Sequence, residues 1–372
     1  MGTKIIASAQ NWIEASAVEQ LERTAKLKGM QAAVGLPDLH PGKDAPIGAV
    51  FATCNIIYPH LVGNDIGCGM SLWQTEVASN KLKIDRWIEN LKGLEGAWEG
   101  DASQFLHDEG VEPSPYDESL GTIGGGNHFV ELQCLHKVCD QSTLSTAGID
   151  AQSIFLLVHS GSRGLGEFIL RSHQAKHGPG GLECGTADAI AYLGAHNHAV
   201  AWAQANRKLI ALRFLAALGT KANRILDICH NSVQLGNVEA VPCWLHRKGA
   251  APSDQGVLVI PGSRGSLSYI VAATGDQSAN LATIAHGAGR KWKRSDCRGR
   301  LEKRFTKESL LRTEIGSRVI CDDKELLYEE APQAYKNVDV VVEDLVDAGL
   351  VRILAVLAPL ITYKTKLMRG RK

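Results

Sequence analysis

Residues 63–70 read GNDIGCGM, an Asp and a Cys three positions apart among three glycines. Glycine weakens helices and strands alike, so the stretch reads as a turn in an unusual backbone shape, able to aim Asp65 and Cys68 at one point. Four histidines occupy comparable settings. His128 follows a Gly triplet in GGGNHFVEL, His159 ends the run IFLLVHS, His230 lies in DICHNSV, and His286 opens HGAGR. A lone His at the end of an apolar element is more often a core or capping residue, but four of one style in one chain favour ligands. Asp65, Cys68, His128, His159 and His230 together offer one carboxylate, one thiolate and three imidazoles. That exceeds one tetrahedral centre and points to two metals sharing a bridging thiolate. The donors leave the metal open: thiolate and imidazole suit Zn²⁺, carboxylate with open positions suits Mn²⁺ or Mg²⁺.

His286 differs from the other three. Gly-Ala-Gly-Arg follows it, so nothing bulky shields it, and Arg290 can offer a fork to phosphate. An imidazole in reach of a phosphorus and a metal can act as a covalent nucleophile. The loop PGSRGSLS from Pro261 to Ser268 supplies backbone N–H groups and hydroxyls suited to phosphate oxygens. Three other motifs fail. HPGKD is no phosphate loop, because Gly35 and Gly42 stand seven apart where that motif has five, and Asp44 replaces its Ser or Thr. HNH at 196–198 lies in a helical stretch, and HSGSRG lacks the Gly two before Ser162 that a hydrolase elbow requires.

These loops need elements to hold them. Apolar strand-like runs cover Ile47–Thr53, Ile154–Val158, Val257–Ile260 and Tyr269–Ala273, and helical spacing marks Ala17–Leu27 and a long Ala- and Leu-rich segment from about Ala187 to Leu218. No Pro/Ser-rich linker, low-complexity tract or repeat divides the chain. The expected fold is one α+β domain over 1–372 whose glycine loops converge on one site.

Composition sets the outer bounds. The chain has 372 residues, 44% hydrophobic and 22% charged, as in an ordinary water-soluble domain. Lys plus Arg and Asp plus Glu both number 40, so net charge favours no partner. A local patch does: Arg290–Arg304 reads RKWKRSDCRGRLEKR, with eight basic and two acidic residues around a Trp. Nine cysteines without a paired framework or C-x-x-C indicate reduced thiols. The N-terminus has no apolar signal core and no run is long enough to span a bilayer, so a cytoplasmic protein without membrane association is expected.

Taken in order, PDLHPGKDAPIG, VGNDIGCGM, GTIGGGNHFVEL, VHSGSRGLG, ANR, CHNS, RKGAAPSDQG, VIPGSRGSLSYIV, HGAGR and PLITYK resemble the RtcB family of RNA ligases, from about Leu36 to Lys364. That family joins an RNA end bearing 2′,3′-cyclic phosphate or 3′-phosphate to a 5′-hydroxyl end, using GTP and Mn²⁺. The resemblance implies that Asp65, Cys68 and His128 hold one Mn²⁺ and that Cys68, His159 and His230 hold a second. It makes His286 the nucleophile that takes GMP through a phosphoramide bond, and it places the metals in a deep central cleft of a single compact α+β domain. The guanylate-binding positions it implies are Asn127, His128, Phe129, Val130, Glu131, His230, Asn231, Pro261, Gly262, Ser263, Arg264, Ser268, His286, Gly287, Ala288, Gly289 and Lys364. The basic run after His286 is then the expected RNA contact.

The chain departs from the family pattern in places. It is short for the family, Arg264 stands where Met is expected, Asp44 stands where Gly is common, and the tail TKLMRGRK runs past the Lys that usually nearly ends the chain. The departures resemble a divergent branch associated with a release-factor-like partner and repair of damaged ribosomal RNA; whether tRNA or rRNA is repaired stays open. Two other functions compete. A two-metal phosphoesterase that processes RNA ends without joining them needs the five ligands but not His286. A non-catalytic RNA-binding protein needs neither.

Overall fold

The computed structural model describes residues 2–365, so all of the tail TKLMRGRK except Thr365 lies outside the described residues. Its centre is an eight-stranded sheet. Seven strands run in the order Val257–Ile260, Ser268–Ala273, Val351–Tyr363, Phe129–Val138, Ser153–Ser160, Gly69–Ala78 and Ala222–Cys229, each antiparallel to its neighbours; Arg318–Ile320 joins parallel to Val351–Tyr363. A five-stranded sheet follows the order Gly2–Ile5, Met30–His40, Ile47–Thr53, Val241–Lys248 and Asn231–Val238, parallel only between its first two strands.

The run from Ile154 to Val158 shows why the central sheet is covered on both faces. Phe155 and Leu157 join the core between the two sheets, with Val34, Leu36 and Val50 from the five-stranded one. Ile154, Leu156 and Val158 point the other way, onto Ile210, Phe214 and Leu215 of the long helix. A strand buried on both faces reads as a continuous apolar run, because the two-residue alternation has no polar side to reveal it.

The long helix spans Ala187–Leu218 as its spacing predicts. Thr186 caps its start by accepting from the Ala189 N–H at 3.3 Å, and Gly219 ends it in the left-handed conformation. The first helix is displaced from expectation: it spans Ala15–Thr24 in place of Ala17–Leu27. Successive turns closed by Lys26 N–H to Arg23 O and Leu27 N–H to Thr24 O stop it early. Strand Met30–His40 escapes a reading that treats proline as a breaker, because Pro37 sits in an irregularity where pairing with Ile47–Thr53 lapses between Gly35 and His40. No helix among the described residues is long and apolar enough to cross a membrane.

Candidate active site

The sheets bring the five candidate ligands together by register. Gly69 pairs with Ser160, and Phe129 pairs with His159, so Cys68, His128 and His159 stand at one level across three neighbouring strands. His230 is the single residue between Ala222–Cys229, in the eight-stranded sheet, and Asn231–Val238, in the five-stranded sheet. It therefore enters the cluster from the seam between the sheets. Donor atoms of Asp65, Cys68 and His128 lie within 4.8 Å of one another, as do those of Cys68, His159 and His230. Cys68 belongs to both groups, which is the arrangement a bridging thiolate requires.

The hydrogen bonds behind these histidines test whether the site fits metal. His128 Nδ1 lies 3.0 Å from the Ile123 carbonyl, and His159 Nδ1 lies 3.1 Å from the Asn127 carbonyl. A carbonyl only accepts, so each Nδ1 carries the proton and each Nε2 presents a lone pair inward. His159 Nε2 then faces Cys68 Sγ at 3.2 Å and His230 Nε2 at 3.3 Å, while His128 Nε2 faces Asp65 Oδ2 at 2.8 Å and Cys68 Sγ at 3.3 Å. Electron pairs converging this closely are reconciled by a cation. Burial, then the neighbouring histidines and other cationic groups, holds the His159 and His230 imidazoles well below their usual range. They are neutral, as ligands must be. Burial and the Asp65 carboxylate push the Cys68 thiol up, which a bound cation reverses. The residues fit a two-metal centre.

Backbone constraints hold this geometry. A Cβ on Gly161 would stand 2.1 Å from Asp65 Oδ1, so only glycine leaves that carboxylate its place. Gly67, at φ +77°, lets the turn between Asp65 and Cys68 close against the long helix. From that helix Arg207, fully buried, donates through Nη1 to the carbonyls of Gly67 at 2.6 Å and Ser160 at 2.9 Å, and pairs with Asp227. Asn206 donates to the carbonyls of Gly161 and Thr122 and accepts from the Gly121 N–H. Two adjacent side chains thus tie the ligand-bearing loops together.

His286 sits in the same cleft. Its ring centroid lies 4.7 Å from that of His230, and its Nδ1 lies 2.7 Å from Oδ2 of Asp38, which is fully buried. Asp38 also accepts from the His286 backbone N–H at 3.3 Å. The ring proton is held on Nδ1, so Nε2 is the nitrogen with a free lone pair. The sequence reading missed Asp38, although a carboxylate inside the apolar run VGLPDL had to find a partner somewhere.

The cleft has a volume of about 550 Å³ and is lined by most of the residues anticipated from sequence, including Asn127, Phe129, Glu131, Asn231, Pro261–Arg264, His286–Gly289 and Lys364. Two anticipated residues point elsewhere. Val130 packs into the apolar cluster under the long helix, since it alternates with Phe129 and Glu131 along its strand. Ser268 lies behind the nucleotide loop, accepting from Gln133 Nε2 and the Gly262 N–H. Arg264 is buried, and its Nη2 donates to the Leu327 carbonyl at 2.9 Å. Lys364 Nζ donates to the His128 carbonyl and sits 3.5 Å from Glu330. Burial alone would raise the Glu330 carboxyl; Lys364, Arg290 and Arg294 outweigh it and hold it below the usual range. The three discarded motifs make structural contacts, although His40, Pro41 and Gly42 also line the cleft. His196 accepts from the Val233 N–H, Ser162 donates to the Ile66 carbonyl, and His40 is buried with Nδ1 2.9 Å from the Asp38 carbonyl.

Comparison with known proteins agrees with this cleft. The family model described as tRNA-splicing ligase RtcB matches residues 20–95 and 95–365. An RNA-splicing ligase RtcB2 of Escherichia coli is 48% identical over 359 residues, covering 96% of this chain and 94% of that protein. The RNA-splicing ligase RtcB of Escherichia coli K12 is 29% identical, covering 95% of each chain. The RNA-splicing ligase RtcB of Mycobacterium tuberculosis is also 29% identical, covering 92% of this chain and 99% of that protein. The fold, the shared-thiolate cluster and this similarity lead to one assignment: the chain belongs to the RtcB family of RNA-splicing ligases.

Proposed function

We propose that this protein is a GTP-dependent RNA ligase that joins a 3′-phosphate or 2′,3′-cyclic phosphate end to a 5′-hydroxyl end through a guanylate carried on His286. The observation that carries this reading is the oriented imidazole of His286, fixed by Asp38 and in ring contact with a metal-ligand histidine. A two-metal phosphoesterase does not require such a group, and a binding protein has no use for the five ligands.

Asp65, Cys68 and His128 would hold one Mn²⁺, and Cys68, His159 and His230 the other. When bound, the metals neutralise charge on the phosphates. His286 Nε2 attacks the α-phosphorus of GTP; a P–N bond forms, the P–O bond to pyrophosphate breaks, and pyrophosphate leaves. An oxygen of the RNA 3′-phosphate then takes the guanylyl group, breaking the P–N bond. The 5′-hydroxyl attacks that 3′-phosphate, forming the phosphodiester and releasing GMP. Positioning carries most of such chemistry.

Guanine is the proposed occupant of the inner cleft. Glu131 is buried, and its two oxygens, each accepting one bond from Gln133 or Thr362, keep a second acceptor site for the N1–H and N2–H donors that guanine has and adenine lacks. Phe129 provides an aromatic face with Lys364 Nζ 5.7 Å from its centroid. Asn127, His128, Val130 by its backbone, Asn231, Pro261–Arg264 and Gly287–Gly289 complete the nucleotide site, with Ser268 bracing the Gly262 N–H from behind. The nine free thiols suit work in a reducing compartment such as the cytoplasm, and a release-factor-like protein is the proposed partner.

The test uses Mn²⁺ and GTP labelled at the α-phosphate. Acid-labile label on the protein, absent from His286→Ala, is expected. Processing of a cyclic phosphate with no label on the wild type would sink the ligase reading in favour of the phosphoesterase.

A further inference from the structure

The cleft lining contains one tryptophan among the described residues, Trp292, six positions after His286. It precedes the basic helix Arg294–Leu301 and is half-buried, packing partly against the small apolar cluster of Leu301, Leu310 and Leu327. Two cations attend its ring: the Arg300 guanidinium carbon lies 5.0 Å from the centroid and Lys291 Nζ lies 5.3 Å away.

The charges around it divide into two sets. Arg290 and Arg294 are paired with Glu330, and Arg298 with Glu302 and Glu325. Those cations already have carboxylate partners and brace the helix. Lys291, Lys293 and Arg300 have no carboxylate in ion-pair range among the described residues, and all three are exposed. Lys291 and Lys293 line the cleft beside Trp292. Trp202, by contrast, has no exposed surface and bonds its Nε1–H to Asp117. An indole set at a cleft mouth among unbalanced cations instead matches the way single-stranded nucleic acid is held, with bases on aromatic faces and phosphates on a basic track.

We propose that Trp292 is a stacking platform for a nucleobase of the RNA end delivered to His286, with Arg300 backing the indole and Lys291 and Lys293 holding the flanking phosphates. This rests on the RNA-ligase reading for its substrate, but it concerns RNA capture and not guanylate transfer.

Binding of a short fluorescent single-stranded RNA bearing a 3′-phosphate, followed by anisotropy without GTP, tests it. Trp292→Leu, which keeps apolar bulk but removes the π face, should weaken binding by about 5- to 100-fold, and Trp292→Phe should keep most of the affinity. Lys291→Ala with Lys293→Ala should flatten the dependence of log K on log salt by roughly 1.4, about 0.7 per lost phosphate contact, whereas Trp292→Leu should leave that slope alone. An RNA carrying 5-iodouracil near its 3′ end should photocrosslink to the peptide containing Trp292. Wild-type affinity in Trp292→Leu overturns the proposal. So does equal weakening in the Leu and Phe variants with a lowered melting temperature, since that marks a packing role, and so does a crosslink found only elsewhere. The two readings fail separately. Loss of RNA binding in Trp292→Leu without label on His286 removes the ligase reading and leaves the platform; label on His286 with no effect of Trp292 does the reverse.

Discussion

Asp38 Oδ2 lies 2.7 Å from His286 Nδ1, joining residues 248 positions apart in the chain. One carboxylate thereby fixes both the tautomer and the orientation of the His286 imidazole, the proposed nucleophile. It also stabilises the positive charge that an imidazole acquires when its other nitrogen bonds to phosphorus.

Asp38→Asn keeps the shape but can turn an amide N–H toward the ring, favouring the wrong tautomer. Label uptake from GTP should slow by about 10²- to 10⁴-fold, with metal content unchanged. Single-turnover labelling measures this, and a rate within threefold of wild type would remove Asp38 from the chemistry.

Cys68→Ala and Gly161→Ala should separate the two metals. Losing the shared thiolate should empty both positions. The methyl of Gly161→Ala collides with Asp65 at 2.1 Å, so it should weaken the position served by Asp65 and His128 and spare the one served by His159 and His230. Metal content by mass spectrometry should read near zero for the first variant and about one per chain for the second. Equal occupancy in both would contradict the bridging arrangement.

Arg207→Met should destabilise the fold by about 3–5 kcal/mol, because it strands the buried Asp227 carboxylate and frees the Gly67 and Ser160 carbonyls. Urea denaturation reads the loss. Adding Asp227→Leu should recover part of it, since the uncompensated charge is then gone; no recovery would place the whole effect in the loop carbonyls.

Burial pushes the Glu131 carboxyl up to about 7, although hydrogen bonds from Thr362 and Gln133 and the charge of Lys364 oppose it. The ionised form is the one with two acceptors for guanine. GTP affinity should therefore rise as pH increases through 7 and fall below it, the carboxyl being protonated on the acid side. The same shift carries a stability term of opposite sense: a raised carboxyl favours the fold below its unfolded range, and that contribution fades as pH climbs through 7. Titrating GTP binding between pH 6 and 8 in wild type and Glu131→Gln should give a slope in the first and none in the second; matching slopes would assign the dependence to another group.

The candidate ligands were legible in the sequence because each histidine meets the end of an apolar run, and Asp65 and Cys68 share a glycine turn that interrupts the pattern. The long helix was legible too, down to its Thr and Gly caps. What stayed hidden depends on who meets whom in space. Asp38 lies in a strand whose proline disguises it. Arg207 belongs to a motif, ANR, that says nothing about the carbonyls it reaches, one 140 positions away. Val130 was placed in the nucleotide site with its neighbours, yet strand alternation turns its side chain into the core. Glu330 shows no local sign that it will gather Arg290, Arg294 and Lys364.

Arg207 and Asn206 grip the ligand loops mainly by main-chain groups. Every residue type carries the same carbonyl, so the grip is blind to the side chain beside it. Frame and chemistry can consequently be edited apart: a ligand can be exchanged for another donor, and the metal preference retuned, with the loops left standing where they are.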